Sequence, residues 1–180
     1  MRLDKHVSLA FGFWEFESYP SSVLSRRPLD SIDALHRENL ENPRKTVLPE
    51  RRTTALNIIT TDGLTEMAKR DADLSTSKNA YHAIGTGTDK EEITDTSLET
   101  EVARREIGHK SQVNTQVKYR TAFTDADFSA ASHDITEAGI FTASVGGICM
   151  THVTTSTPVL LDANNTLLVS FTLTRENGAV

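Results

Sequence analysis

The sequence predicts a mainly β protein: an antiparallel β-sandwich with one or two short helices and an extended N-terminal arm. Three observations predict it. After Tyr81, short segments rich in Thr and Val alternate apolar and polar residues, the period-two pattern of half-buried strands. Turn signals such as Gly146-Gly147 and residues 162–165 separate these segments at the spacing typical of sandwiches. Four of the five prolines lie before residue 50, where their fixed φ and missing N–H oppose long regular elements.

Residues 1–52 are expected to form the arm, and residues 53–180 the sandwich domain. One short helix is expected within the arm, capped by Asp30 or Ser31 and stopped by Pro43. The arm is also rich in aromatic side chains, namely Phe11, Phe13, Trp14, Phe16 and Tyr19. Two interpretations are open: the aromatic side chains pack on their own domain, or they dock on a neighbouring subunit, where buried aromatics carry much of the binding energy. The second interpretation makes them a candidate partner-docking site.

The first elements of the sandwich domain are a strand and a helix. Residues 55–59 are expected to form the strand. Thr61 or Asp62 is expected to cap the helix, which would bury Leu64, Met67 and Ala68 at i, i+3 and i+4.

Further strands are expected at residues 81–84, 98–107, 113–119, 135–142, 148–155 and 167–173. Residues 98–107 also suit a helix, because Glu99 and Glu101 would pair with Arg104 and Arg105 along it. Their neighbours favour a strand.

Composition limits the classes of partner. A net charge of -6 and a pI near 5.5 argue against a nucleic-acid surface, which is usually basic. No run approaches the ~18 apolar residues of a membrane span, so neither nucleic acid nor membrane is expected as a partner. The single cysteine, Cys149, excludes an intrachain disulfide and is expected to be a small buried hydrophobe.

The segment Gly85-Thr86-Gly87-Thr88 partly matches a dinucleotide-binding loop. Lys90 occupies the place of the third glycine, and the acidic residues that follow would repel a phosphate. No Walker motif is present either. The segment is therefore predicted to be a strand end that enters an exposed connection, with no cofactor attached.

The remaining candidates for chemistry are scattered. The six histidines have no metal-ligand spacing, although His82 and His152 lie in expected strands and could meet across a sheet. The acidic residues at 89–95 and at 125–127 lack calcium-loop spacing, and a weak cation site there stays an open alternative. No Gly-x-Ser-x-Gly elbow occurs. The sequence predicts no catalytic, cofactor-binding or metal-binding residue, and therefore a protein that is not an enzyme.

Several segments in a fixed order resemble a family of structural proteins of tailed bacteriophages and related viruses. They are IITTDGL at 58–64, YHAIGTGT at 81–88, TDTSLETEVAR at 94–104, ITEAGIF at 135–141, Gly146-Gly147, and NTL at 165–167 before an alternating strand. Each segment is short, and their order and spacing carry the resemblance. The first fifty residues have no counterpart in it.

The resemblance implies a β-rich virion component without catalytic residues, in a tail fibre, a baseplate or a capsid-surface decoration. Its partners would be copies of itself, in a symmetric oligomer, and neighbouring virion proteins. An alternative is a receptor- or glycan-binding module on the virion surface that contacts the host through the loops at 71–79 and 89–97. A small hydrolase or nucleotide enzyme is a third hypothesis, disfavoured by the missing motifs.

Overall fold

The computed structural model describes residues 7–21, 49, 51–127 and 132–178. Its strands are β1 (Val7–Pro20), β2 (Arg51–Leu56), β3 (Ile58–Ile59), β4 (Tyr81–Gly85), β5 (Glu101–Glu106), β6 (His109–Val113), β7 (Gln116–Phe123), β8 (Ser132–Phe141), β9 (Cys149–Asp162) and β10 (Asn165–Gly178). Helix α1 (Thr61–Asp71) lies between β3 and β4, and a 3₁₀ turn (Asp125–Asp127) follows β7.

The strands form two five-stranded sheets, in the orders β2-β1-β10-β7-β6 and β3-β9-β8-β4-β5. Every strand pairing is antiparallel. The predicted antiparallel β-sandwich is confirmed.

The main core lies between the sheets and joins them through aromatic side chains. Trp14 of β1 is fully buried, with its ring 5.0 Å from Phe171 of β10 and 5.2 Å from His82 of β4. Ile84 and Ile140 pack into the same cluster from the second sheet. Burying one such side chain contributes about 1.5–3 kcal/mol.

Strand β1 corrects the prediction of an N-terminal docking arm. It pairs with β10 from Val7 to Pro20 and with β2 on its other side, so it lies inside the first sheet. Trp14, Phe16 and Tyr19 are fully buried within their own chain, and Phe13 is half-buried. The docking-arm prediction and the domain boundary at residue 52 are therefore wrong for residues 7–20.

The physical reason is a two-residue alternation. Trp14 and Phe16 turn into the core while Glu15 and Glu17 turn to the opposite face of the sheet. Glu15 is hydrogen-bonded there by Arg52 of β2, and Lys118 of β7 lies 2.8 Å from it. The side chain of Phe11, and the helix expected between residues 30 and 43, lie outside the part of the chain that is described.

Helix α1 is present, but its buried face differs from the predicted one. The N-cap is Thr60, whose hydroxyl accepts the Gly63 N–H at 2.9 Å. Gly63 and Glu66 are buried, whereas Leu64 is 53% exposed. The backbone of Met150 leaves no room for a larger residue than glycine, since a Cβ on Gly63 would lie 2.2 Å from its carbonyl oxygen.

Glu66 is kept inside by polar partners. The hydroxyls of Ser75 and Ser77 donate to its carboxylate, and Arg70 Nε lies 3.9 Å away. These hydroxyls lower the pKa of Glu66 below its usual value. The helix is thus anchored by a glycine contact and a carboxylate rather than by an apolar stripe.

The structure decides the open prediction for residues 98–107 and corrects the prediction for residues 113–119. Residues 98–107 contain strand β5 and no helix. Residues 113–119, expected as one strand, span a hairpin that joins β6 to β7, with Asn114 at φ 52 in the turn. Asparagine tolerates this left-handed conformation better than most residues.

Candidate functional site

The outer face of the second sheet is covered by the connection at residues 86–100. Side chains alternate along the strands, so Ile84 and Ile140 enter the main core while their neighbours Ala83 and Phe141 face outward. Leu98 of the connection is buried against this outward face together with Ala83, Phe141 and Cys149. The connection therefore adds a third layer to the sandwich.

The carboxylate of Glu137 on β8 holds the connection in place. Its Oε1 accepts the N–H groups of Gly87 at 2.9 Å and Thr100 at 2.7 Å, and its Oε2 accepts that of Glu99 at 3.0 Å. The same Oε2 lies 3.1 Å from Nε2 of His152 on β9. The Glu137 side chain is 0% exposed. We name Glu137, His152 and these three amides the Glu137 clamp.

Further contacts fix the connection along its length. His152 Nδ1 lies 2.6 Å from Asp95 Oδ2, so the imidazole bridges two carboxylates. The Thr154 hydroxyl donates to Glu91, and the Thr136 hydroxyl donates to the Gly87 carbonyl at 2.7 Å. Strands β8 and β9 thus hold the connection at several points.

The electrostatics of the clamp favour a charged pair. Burial alone lowers the pKa of His152, but its hydrogen bonds with Glu137 and Asp95 outweigh burial and raise the pKa above the usual value. Burial alone raises the pKa of Glu137, but the hydrogen bonds from His152 and from the backbone amides outweigh it and lower the pKa. Each partner stabilises the charge of the other.

The clamp explains why glycine occupies positions 85 and 87. A Cβ on Gly85 would lie 2.3 Å from Glu137 Oε1, and one on Gly87 would lie 2.6 Å from the same atom. The N–H of Gly87, which a phosphate loop would direct at a phosphate, donates to the carboxylate instead. These glycines allow two backbone segments to approach one buried oxygen.

The expectation that His82 and His152 meet across a sheet is wrong. His82 pairs with Ile140 and His152 pairs with Gly139, and these consecutive β8 residues face opposite sides. His82 lies in the main core against Trp14, where burial lowers its pKa to about 3 and keeps it neutral. His82 therefore packs in the main core as a neutral side chain, whereas His152 bridges two carboxylates in the Glu137 clamp.

Cys149 behaves as predicted. It is 1% exposed in the outer cluster, and burial raises the pKa of its thiol to about 12. A thiol held in its neutral form is a poor nucleophile.

The acidic residues expected in exposed connections have structural partners. Asp95 accepts the Glu92 N–H as well as contacting His152, and Asp127 pairs with Arg105 at 3.0 Å. Within the described ranges, no group of three His, Cys, Asp or Glu side chains is arranged to hold a metal ion. Across the same residues, no helix has both the length and the apolar character that crossing a bilayer requires.

Sequence reasoning missed Glu137, although a signal was present. A single carboxylate stands in the otherwise apolar or small-residue run at 135–141, and a buried charge in a strand needs dedicated partners. The amides that donate to it lie 37 to 50 residues away in the chain and His152 lies 15 residues away, so local patterns do not identify these partners.

No protein-family model matches the chain, and no curated protein matches it significantly.

Proposed function

We propose that this chain is a non-enzymatic structural component of a tailed-virus particle that assembles as a symmetric oligomer. The observation that carries the proposal is that three of the segments that resemble virion proteins lie together in the fold. The segments at 81–88, 94–104 and 135–141 meet at the Glu137 clamp, where their polar groups hold a connection against a sheet. Three of the segments that carry the resemblance thus contribute to one feature of the fold, which supports the proposal.

The group best suited to acid–base chemistry is fully engaged in this architecture. Both oxygens of Glu137 accept hydrogen bonds from the connection, and His152 is held between two carboxylates. A buried network satisfied in this way supports a structural role for both side chains.

The sheet edges suit assembly. Strands β2 and β6 end the first sheet in the described residues, and each carries an exposed apolar side chain, Leu56 at 74% and Val113 at 66%. An edge strand offers unpaired backbone groups to a second copy. Closed rings repeat such a contact by symmetry.

Two experiments test this proposal. Light scattering of the purified chain should give a mass that is a multiple of the 19.8 kDa monomer. Electron microscopy of particles with the protein labelled should then place it at symmetric positions. A stable monomer that is absent from particles would overturn the proposal.

Recognition of a surface glycan is a second candidate function. The loop after α1, which the sequence predicts as a contact loop, contributes Asn79 to a cleft of about 370 Å³. Ligand sites typically fall in the range of ~300–1,000 Å³.

A further inference from the structure

A cleft lined by two arginines opens between helix α1, the β6–β7 hairpin and strand β10. Its volume is about 370 Å³, and its lining includes Arg70 of α1 and Arg175 of β10. Its polar lining includes Asn79 and Gln112, and Tyr119 contributes an aromatic ring. We name this the Arg70–Arg175 cleft.

The charge of the cleft is opposite to that of the chain. The chain carries a net charge of -6, yet the described residues that line the cleft include two guanidinium groups and no carboxylate. An excess of one sign inside a concave site concentrates ligands of the opposite sign. The cleft is therefore suited to an anion.

Two titratable groups at or beside the cleft, Tyr119 and Lys110, have pKa values that are shifted mainly by burial. Burial raises the pKa of Tyr119 above its usual value, although the hydrogen bond with Asn79 and then the charges of Arg70 and Arg175, which line the same cleft, oppose the rise. The pKa of Lys110 is lowered by burial in the first place, and Lys78 and Arg70 add to this effect, although Glu106 opposes it.

The guanidinium group of Arg70 is fixed by side-chain contacts. Its Nη1 donates to Asn79 Oδ1 at 2.9 Å, its Nε and Nη2 donate to Ser77 Oγ at 3.4 and 3.3 Å, and the buried Glu66 carboxylate lies 3.9 Å from its Nε. A guanidinium fixed in this way loses little further freedom when it binds a carboxylate.

Arg175 is held loosely. Its Nη1 lies 3.4 Å from Asp71 Oδ1, in an ion pair between side chains that are 49% and 62% exposed. An exposed pair of this kind contributes little to stability, so a ligand carboxylate can replace Asp71 at small cost.

The rest of the lining suits a polyol with an apolar side. The amides of Asn79 and Gln112 provide both hydrogen-bond donors and acceptors. Tyr119 stacks on Phe171 at 6.1 Å and, with Val117 and Leu173, gives the cleft an apolar surface. A sugar ring presents hydroxyls at its edge and C–H groups on its face, which matches this arrangement.

We propose that the Arg70–Arg175 cleft binds a sugar acid, with the carboxylate at the two guanidinium groups and the ring against Tyr119. The proposal gives a ligand class to the second candidate function. It concerns the isolated chain and does not require assembly into a particle.

Isothermal titration calorimetry of the full chain at low salt tests this site. The probes are D-glucuronate and N-acetylneuraminate, with D-glucose and acetate as the neutral-sugar and simple-carboxylate comparisons. We expect at least one sugar acid to bind about tenfold more tightly than either comparison, because only it uses both halves of the cleft.

Two matched variants complete the test. Arg175→Gln should weaken binding of that sugar acid at least about tenfold, the effect of losing a charge-assisted contact. Arg105→Gln is the control, because Arg105 is a similarly exposed arginine in an ion pair away from the cleft. We expect it to bind as the wild type does.

Four results would overturn the proposal. One is the absence of binding by both sugar acids, and another is unchanged binding in Arg175→Gln. A third is binding of D-glucose as tight as that of the sugar acids, which would keep glycan recognition but show that the carboxylate is not recognised. A fourth is equally tight binding of acetate, which would show that the sugar ring is not recognised. A failure here leaves the light-scattering result, and therefore the assembly proposal, unaffected.

Discussion

Replacing Glu137 with glutamine tests the clamp at its centre. The change keeps the shape of the side chain and removes its charge. One carboxylate oxygen becomes an amide NH₂, which donates hydrogen bonds instead of accepting them. If the NH₂ stands at the Oε2 position, the N–H of Glu99 loses its acceptor. If it stands at Oε1, the N–H groups of both Gly87 and Thr100 lose theirs.

The size of the effect follows from these contacts. A buried N–H without an acceptor costs about 1–3 kcal/mol, and hydrogen bonds to a charged group contribute about 1.5–3 kcal/mol each against about 1 for neutral ones. Removing one partner of a buried ion pair costs about 3–5 kcal/mol. We therefore expect Glu137→Gln to lower the free energy of unfolding by about 3–5 kcal/mol, out of the 5–15 kcal/mol typical of a domain of this kind.

Urea denaturation followed by circular dichroism measures this difference. The control is Glu99→Gln, which alters a carboxylate in the same connection that accepts the Thr88 and Asp89 amides from an exposed position. We expect the control to lose less than about 1 kcal/mol, since water replaces its contacts. A Glu137→Gln variant within 1 kcal/mol of the wild type would refute the reasoning.

Four further predictions follow from single residues. Because the pKa of His152 is raised in the folded chain, the stabilising effect of its charge is lost as the pH rises through that raised value. Between about pH 6 and pH 9 the wild type should therefore lose more stability than His152→Gln in urea titrations. Parallel curves of stability against pH would contradict this. Trp14→Ala should lower the free energy of unfolding by about 3–5 kcal/mol, measured on dilute protein, whereas a docking residue would leave the isolated chain unchanged. Gly63→Ala should lower the free energy of unfolding by about 1–3 kcal/mol, and with it the melting temperature in calorimetry, because the new Cβ would meet the Met150 carbonyl. An unchanged melting temperature would show that α1 does not contact the Met150 backbone in this way. Cys149 should react with a thiol reagent only after denaturation, and fast labelling of the native chain would show that its burial is wrong.

The sequence predicted the sandwich well because its strands follow a local rule. Alternation along residues 167–173 predicts that Leu167, Val169, Phe171 and Leu173 share one face, and β10 places these four side chains in the main core. The other face is buried as well, with Leu168 at 0% and Ser170 at 2% exposure. The buried thiol of Cys149 was predicted for a similar reason, as its burial follows from residue type.

The role of the N-terminal segment was harder to predict. The four prolines before residue 50 predicted an irregular region, yet Pro20 is simply the last of the fourteen residues of β1. Proline is compatible with a strand terminus. The aromatic side chains therefore belong to a core strand, and deleting residues 1–52 would remove a central strand of the first sheet.

The buried carboxylates were the least predictable feature. Glu66 depends on Ser75 and Ser77, and Glu137 depends on amides of the connection at 86–100. Such pairs form only after distant segments meet, so composition and periodicity do not indicate them. The predicted apolar face of α1 is wrong for Leu64 and Ala68, which are exposed, while Met67 packs against the main core. The buried positions of the helix are Gly63 and Glu66, whose contacts are tertiary.

Amide hydrogen exchange on the native chain tests the central claim most directly, namely that the connection at 86–100 is a fixed layer held by a buried carboxylate. The account predicts slow exchange at the amides of Gly87, Glu99 and Thr100, close to that of the core strands, and faster exchange at these three sites in Glu137→Gln. Exchange in the wild type as fast as in an unstructured loop would contradict it.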